Sequence, residues 1–595
     1  MAASYKKTFI FLAFLSLQGQ IFSKVPFVRN QPLEVKALEI LEINKFKQKS
    51  NSLENKFLML KSGILYLISK GEQLKALEKY KEYTIKTGSH DYKLLREMCL
   101  MIIEDAIEKG TEEDSLLALI AMEITGEDMF THHLGKLLKS NFFPVQAKAL
   151  SLLKRIDNDY SDILINSCLS SNFIMLRLEA LSILVQKHNK TALGKVEALM
   201  NMVNKMYHPI FVDFYAIAGT KYAISIMKQM LNDSDINLNL ATIIACKNYK
   251  IEQLIPNLRN SLTHTSPIIK EACADALAAF HDSTCIPKLE KLCLSKHTEI
   301  RLAAYFALYS MGEKSKKEAI FNLAKEGNLF AILLLAKIDG SEKCLHEIYY
   351  SDDNDLRINS AVSLLEIKDP LCLPVIKDLI TLDNNVYYIN INHSPGRAFQ
   401  HLSVAALSSV QNKAMIPQLI YQTLMIQNSL LAKTIDLPRN KFMDIIEDLF
   451  SKKRNNLIPT AIALLENFDD KESLNYLMEK SKTLGAPFIR TCCNLSLWKS
   501  TRDVVYKDAI DSWLKEFGKH QMISFSQNTT KNEKKTSVSG YELTLEEKSH
   551  LLIQCFLHIC SSHENAGLES VLEAMRTGFA KNRIPLAGVV LKTIQ

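Results

Sequence analysis

Ile300-Arg301-Leu302-Ala303-Ala304-Tyr305-Phe306-Ala307-Leu308 is the stretch whose reading decides the fold. An apolar residue precedes a polar one; a small side chain follows three positions later and a leucine seven positions later. With the polar residue as a marker, the pattern recurs at Gln146, Arg177, Asn239, Lys270, Arg357, Gln400 and Arg490. From Gln146 to Arg301 the steps are 31, 62, 31 and 31 residues. The small positions are Ala149, Ala180, Thr242, Cys273, Ala304, Ser360, Ser403 and Cys493, and only Cys246 replaces the leucine. A fixed period of this length is the mark of a solenoid.

The chemistry of one unit explains the pattern. Pro267 opens a helix in which Ile269, Cys273, Ala276, Leu277 and Phe280 return at three- and four-residue steps, giving one apolar face. His281 to Thr284 form a turn, and Ile286-Pro287 starts a second helix, where proline removes only an amide that lacks a helical partner. Pro256, Pro287, Pro374 and Pro417 each stand 17 residues after their markers. The small residue lets paired helices approach, the leucine fills the space beyond, and neither helix can bury its stripe alone.

Unit positions thus resemble HEAT-like repeats of the bilin-lyase type, in which an aliphatic-arginine pair is followed by alanines and leucine. The resemblance runs from about Asn141 to Phe517, with Asn354-Asp355-Leu356-Arg357, Ser360 and Leu364 as a second clear copy. It implies an all-α solenoid of helix-pair repeats, and it implies little about function, because such repeats serve enzymes and scaffolds alike.

Composition agrees with the all-α class. The chain has 595 residues, 47% of them hydrophobic, with only 19 Gly and 15 Pro, and no sustained two-residue alternation. A formal charge of +7 and a pI near 8.6 are too weak for a nucleic-acid footprint. The runs Lys452-Lys453-Arg454 and Lys531 to Lys535 belong on solvated loops.

Lys6 and Lys7 precede the apolar stretch Thr8 to Leu17, then a polar region ending at Ser23. This is the layout of a secretory signal over residues 1–23, cleaved after Ser23, and the apolar stretch is short for a bilayer span. The expected location is periplasmic, envelope-associated or secreted, with a buried first helix in a cytoplasmic protein or an uncleaved anchor as the alternatives. The 12 cysteines are too few for a disulfide scaffold. Those in helical patterns, Cys168, Cys246, Cys273, Cys293, Cys372 and Cys493, serve as compact apolar fillers. The lysine-, isoleucine- and asparagine-rich composition and divergent repeats also resemble exported hypothetical proteins of chlamydia-like intracellular bacteria.

The expected organisation is a signal over 1–23, N-terminal helical hairpins over 24–140, the repeat solenoid over 141–517, a flexible linker over 518–541 and a C-terminal helical segment, or cap, over 542–595. Degenerate units occupy His208 to Ile217, Leu329 to Leu335 and Leu457 to Leu465. Between Arg357 and Gln400 the interval is 43 residues, and the excess falls at Asn384 to Arg397, an inserted loop with tyrosines and no helical stripe.

Catalytic chemistry finds no motif. The chain lacks a Gly-x-Ser-x-Gly elbow, a phosphate-binding loop and a His-Glu-x-x-His pair. Some HEAT-like metal hydroxylases are similar in fold and hold two irons with four His-Glu dipeptides, whereas this chain has two, His346-Glu347 and His563-Glu564. Cys555, His558 and Cys560 diverge around one helix without a second ligand cluster, and His132-His133 suits a solvated helix end. The basic markers Arg177, Lys270, Arg301, Arg357 and Arg490 suit bonding between adjacent units better than a ligand track, because Gln146, Asn239 and Gln400 interrupt the charge. No catalytic, cofactor-binding or metal-binding residue is assigned, and no cofactor is expected. The leading expectation is an exported, non-enzymatic scaffold or adaptor for a protein partner, contacted by Tyr387, Tyr388, His393 and Arg397 in the insertion. Neither nucleic acid nor an integral membrane span is expected. The alternative is a HEAT-like enzyme or cofactor-handling protein, bilin-lyase-like or metal-dependent.

Overall fold

A computed structural model describes residues 52–126, 130–189, 191–381, 426–468, 470–523, 545–560 and 565–595. Among the described residues every regular element is a helix, and no helix is long and apolar enough to cross a membrane. The chain divides into two compact units: residues 184–506 and 529–548 form one, and residues 1–183, 507–528 and 549–595 form the other.

The marker-bearing helices of the 184–506 unit include Ile236–Asn248, Pro267–Ala279, Thr298–Ser310, Asn354–Glu366 and Pro487–Thr501. Each regular one carries the stripe read from the sequence. Thr242, Cys273, Ala304, Ser360 and Cys493 are fully buried, as are Cys246, Leu277, Leu308, Leu364 and Leu497 four residues further on. Pro267–Ala279 packs between Ile236–Asn248 and Thr298–Ser310, and the short helices Ile255–Ser261 and Ile286–Leu292 pack against the first helix of the following unit. Pro256 and Pro287 stand in the first turns of those short helices. Stacking of neighbours is therefore what covers each stripe.

Polar groups of the connecting turns are satisfied by a repeated device. Six residues before the marker, Asp233, His264, Ser295 and Ser351 accept the amide of the residue two positions on, at 2.8 Å, 3.0 Å, 3.2 Å and 3.2 Å. Ser140 and Ser171 do the same in the other unit, at 3.1 Å and 3.2 Å. Eleven residues after the marker the backbone turns left-handed, at His188, Lys250, His281, Gly312 and Lys368. The next amide then donates to the carbonyl of the buried position at plus seven: Ile251 to Cys246 at 2.9 Å, Asp282 to Leu277 at 3.2 Å, Glu313 to Leu308 at 2.9 Å and Asp369 to Leu364 at 2.9 Å. This closes the helix by the six-to-one bond that satisfies an otherwise orphaned carbonyl.

One residue breaks the apolar ladder between stacked helices. One position after the marker stand Leu240 and Leu302 in the flanking units, both buried, but Glu271 in the helix between them. Glu271 is 1% exposed, and neither carboxylate oxygen has a hydrogen-bond partner among the described residues. Burial, aided by the carboxylates of Glu299 and Asp275, pushes its carboxyl up to about 8. A carboxyl raised in this way is neutral in the folded chain where the unfolded chain already ionises.

In the other unit, segments far apart in sequence share one core. Helix Arg583–Ile594 lies against Tyr92–Lys109 and Glu112–Thr125, and Asn565–Thr577 lies against Gln73–Thr87. Ile584 through Leu591 are all buried. Buried Asn582 ties in the chain after Gly518: its amide donates to the carbonyls of Gly518 (3.1 Å) and His520 (2.8 Å), and its oxygen accepts from the Met522 amide (2.9 Å). Residues 518–523, read from sequence as the start of a linker, are held by these bonds. Lys581 pairs with Glu113 and, at 3.6 Å, with Asp114.

Two stability predictions follow from these packing sites. A Cβ on Gly588 would stand 2.6 Å from Ala121 Cα and 2.7 Å from its carbonyl oxygen. Gly588→Ala is therefore expected to lower stability by about 1–3 kcal/mol in a denaturant melt, whereas an unchanged midpoint would refute the close approach. Glu271→Leu is expected to raise stability, by about 1–3 kcal/mol at pH 8 and less at pH 5. The sign follows from the raised carboxyl: wild-type stability from this group is full below the ordinary carboxylate range and is lost as pH rises through about 8. Parallel melting curves for wild type and variant across that window would contradict it.

Candidate functional site

The double step from Arg177 to Asn239 contains an irregular pair, and a cleft opens there. Pro209 lies inside the 3-10 segment Lys205–Phe211, where its ring removes an amide donor. The α-helix that follows, Val212–Ala218, has 7 residues, against 13 in Ile236–Asn248. Gly219, with φ +58°, ends it, and Thr220 caps the next helix, Lys221–Met230, by accepting the Ala223 amide at 3.1 Å. A first helix this short leaves part of the neighbouring surface uncovered.

The cleft has a volume of about 280 Å³. Met200, Ile226, Met230 and Leu238 supply apolar walls, with Glu197, Lys205, His208, Tyr215, Asp233 and Asp235 among the polar lining. Tyr215 is 1% exposed, and its hydroxyl makes no hydrogen bond among the described residues. Burial, with the Glu197 carboxylate and Tyr222 nearby, raises its phenol well above the usual range, so it remains protonated. Glu197 accepts a hydrogen bond from the Tyr222 hydroxyl. In the same stretch of chain, large apolar side chains face solvent: Met202 is 75% exposed and Met206 56%, with Tyr222 and Ile236 also exposed. Met202, Met206 and Ile236 follow the lining residues Asn201, Lys205 and Asp235 in sequence, and Tyr222 bonds to Glu197.

Sequence reasoning placed the contact residues elsewhere. Tyr387, Tyr388, His393 and Arg397 lie outside the described residues, as do Gln400, Pro417 and the segment before residue 52. It placed a degenerate unit at His208 to Ile217 but assigned it no site. Pro209 inside a first helix was the available signal, while Glu197 and Tyr215 join the cleft only through packing.

Three of the basic markers are engaged locally. Arg177 donates to the Ser171 carbonyl at 2.5 Å, Arg301 to that of Ser295 at 3.0 Å, and Arg357 to the Asn354 side chain at 2.5 Å. Uncharged markers act alike: Gln146 donates to Ser140 at 2.5 Å and Asn239 to Leu231 at 2.7 Å. These bonds hold the preceding turn rather than presenting charge to a ligand.

His346 Nε2 lies 2.6 Å from Asp369, and its neighbour Glu347 pairs with Lys325 at 2.6 Å. His133 faces Glu104 at 3.6 Å, and Cys555 and Cys560 are buried. Among the described residues no three His, Cys, Asp or Glu side chains stand together as metal ligands. Every cysteine is free, and all but Cys492 are buried. Burial pushes the thiols of Cys168, Cys285 and Cys560 up to about 11, which leaves them protonated and unreactive at neutral pH.

Comparison with known proteins bears on the repeat itself. A family profile described as HEAT repeats matches residues 224–309, which hold the evenly spaced markers Asn239, Lys270 and Arg301. No curated protein matches the chain. Similar solved structures include the complex of CpcE and CpcF of phycocyanin lyase from Nostoc sp. PCC7120, at 16% identity and TM-score 0.27, covering 36% of this chain and 92% of that one. The karyopherin Kap121p bound to the extreme C-terminus of the protein phosphatase Cdc14p has 11% identity and TM-score 0.37, covering 88% of this chain and 58% of that one. Human deoxyhypusine hydroxylase has 12% identity and TM-score 0.21, covering 52% of this chain and 99% of that one. At such scores these likenesses carry nothing about activity or partners. The phased stripe, the stacking of helix pairs and the matched profile make this chain a HEAT-like helical-repeat protein.

Proposed function

We propose that the chain is an exported, non-enzymatic α-solenoid scaffold that binds a protein partner at the cleft beside its irregular step. The supporting observation is the exposure of Met202, Met206, Tyr222 and Ile236, three of them next in sequence to lining residues and Tyr222 bonded to one. Clustered apolar side chains cost solvation free energy when left in water, and such patches mark interaction surfaces. Methionine suits this role because its unbranched, polarizable side chain adapts to a partner's shape. Five of the repeating polar markers, Gln146, Arg177, Asn239, Arg301 and Arg357, are engaged in local hydrogen bonds, whereas the irregular step offers a cleft.

Tyr387, Tyr388, His393 and Arg397 in the insertion form the second contact set of this proposal. Export rests on the basic start and apolar stretch before Ser23.

The docking reading is tested by capture from the native cell with the full chain, the Met202→Glu/Met206→Glu variant and a deletion of residues 384–394. Glutamate at the rim is expected to reduce recovery of the specific partner by about tenfold with unchanged thermal melting, since it places charge in an apolar contact. Undiminished recovery from the rim variant would discard the cleft, and from the deletion would discard the insertion. For export, the mature protein is expected to begin at Lys24 on N-terminal sequencing, and a soluble cytosolic product retaining Met1 would defeat the assignment.

A further inference from the structure

From rim to floor, the cleft matches one kind of side chain. Its volume of about 280 Å³ falls at or below the small end of pockets that hold drug-sized ligands, and suits a single long side chain. Met200, Ile226, Met230 and Leu238 offer apolar walls to an aliphatic stem. The charged lining comprises Glu197, Asp233 and Asp235 against Lys205, a formal balance of 1 − 3 = −2 with His208 neutral. Asp233 and Asp235 each accept one backbone amide within their turn, at 2.8 Å, which holds both side chains at the cleft.

Tyr215 supplies an independent observation. The ring of Tyr215 is packed away, with the residue 1% exposed, while the residue lines the open cleft, so its hydroxyl is available to whatever enters there. Glu197 lines the same cleft as Tyr215, so a carboxylate and a hydroxyl face one space. A cation with several N–H donors satisfies both together.

We infer that the cleft receives a lysine or arginine side chain from the partner polypeptide, with its charged end at Glu197 and Tyr215 and its stem along the methionines. Flanking apolar residues of the partner then cover Met202, Met206, Tyr222 and Ile236. The inference rests on the docking reading above and adds the chemistry of the partner.

The test uses the full-length protein and fluorescein-labelled, capped peptides in which a central lysine, arginine, norleucine or glutamate is flanked by leucines. The lysine or arginine peptide is expected to bind about tenfold or more tighter than the norleucine peptide, because a charge-assisted hydrogen bond is gained. Glu197→Gln and Tyr215→Phe are each expected to weaken that peptide about five- to tenfold while leaving the norleucine peptide unchanged. Tyr215→Phe keeps the packed ring, and its thermal melt reports whether the fold is intact. Equal binding by the norleucine or glutamate peptide, or no binding by any peptide, overturns the inference. Displacement of the lysine peptide by free butylamine at equal concentration also overturns it, because the cleft would then be a site for small amines. The docking reading falls on a different result, unchanged partner capture by the Met202→Glu/Met206→Glu variant.

Discussion

Everything regular in this protein depends on one stripe that a single helix pair cannot hide. Among the described residues, the small residue and the plus-seven residue of the marker-bearing helices are fully buried because another pair lies against them. Burying such side chains contributes about 1.5–3 kcal/mol each for the larger ones. That gain is available only if the turns between helices keep the next pair in register. The polar marker and the residue six positions before it hold the turn from within, and the left-handed residue at plus eleven closes the helix end. Packing and turn chemistry are thus two halves of one repeating constraint.

The same constraint says where the chain can afford irregularity. At Glu271 the ladder accepts a carboxyl where its neighbours have leucine, and the stacked helices remain in place around it. At Pro209 the disturbance is larger: the first helix shortens, and the surface it would have covered becomes a cleft with an exposed rim. The first departure is compatible with continued stacking, while the second changes what the protein can present to solvent.

The stripe was legible in the sequence because amphipathic helices bury residues at three- and four-residue steps, and the period survives substitution among similar side chains. The phased prolines were legible for the same reason. The left-handed turns were not: glycine signals them, and only Gly312 is glycine, with His188, Lys250, His281 and Lys368 in the other places. The Arg583–Ile594 helix lies within the C-terminal helical segment expected over 542–595, but its packing against Tyr92–Lys109 and Glu112–Thr125 was not legible. It is buried almost throughout, so no polar face alternates with an apolar one to mark its period. The candidate cleft needed tertiary structure, since residues from Glu197 to Leu238 meet there across several short elements.

The pairing of distant segments has a kinetic consequence. Lys581 meets Glu113 across 468 positions, and Arg583–Ile594 covers helices made long before it. Contacts of such separation form late, because the loop they close is long, whereas a stack of neighbouring helix pairs can form as it emerges. The apolar faces of Tyr92–Lys109 and Glu112–Thr125 therefore stay open until a segment 468 positions further along has been translated. During that interval they are the surfaces a chaperone would have to shield, and a truncated product lacking the last helix would expose them permanently.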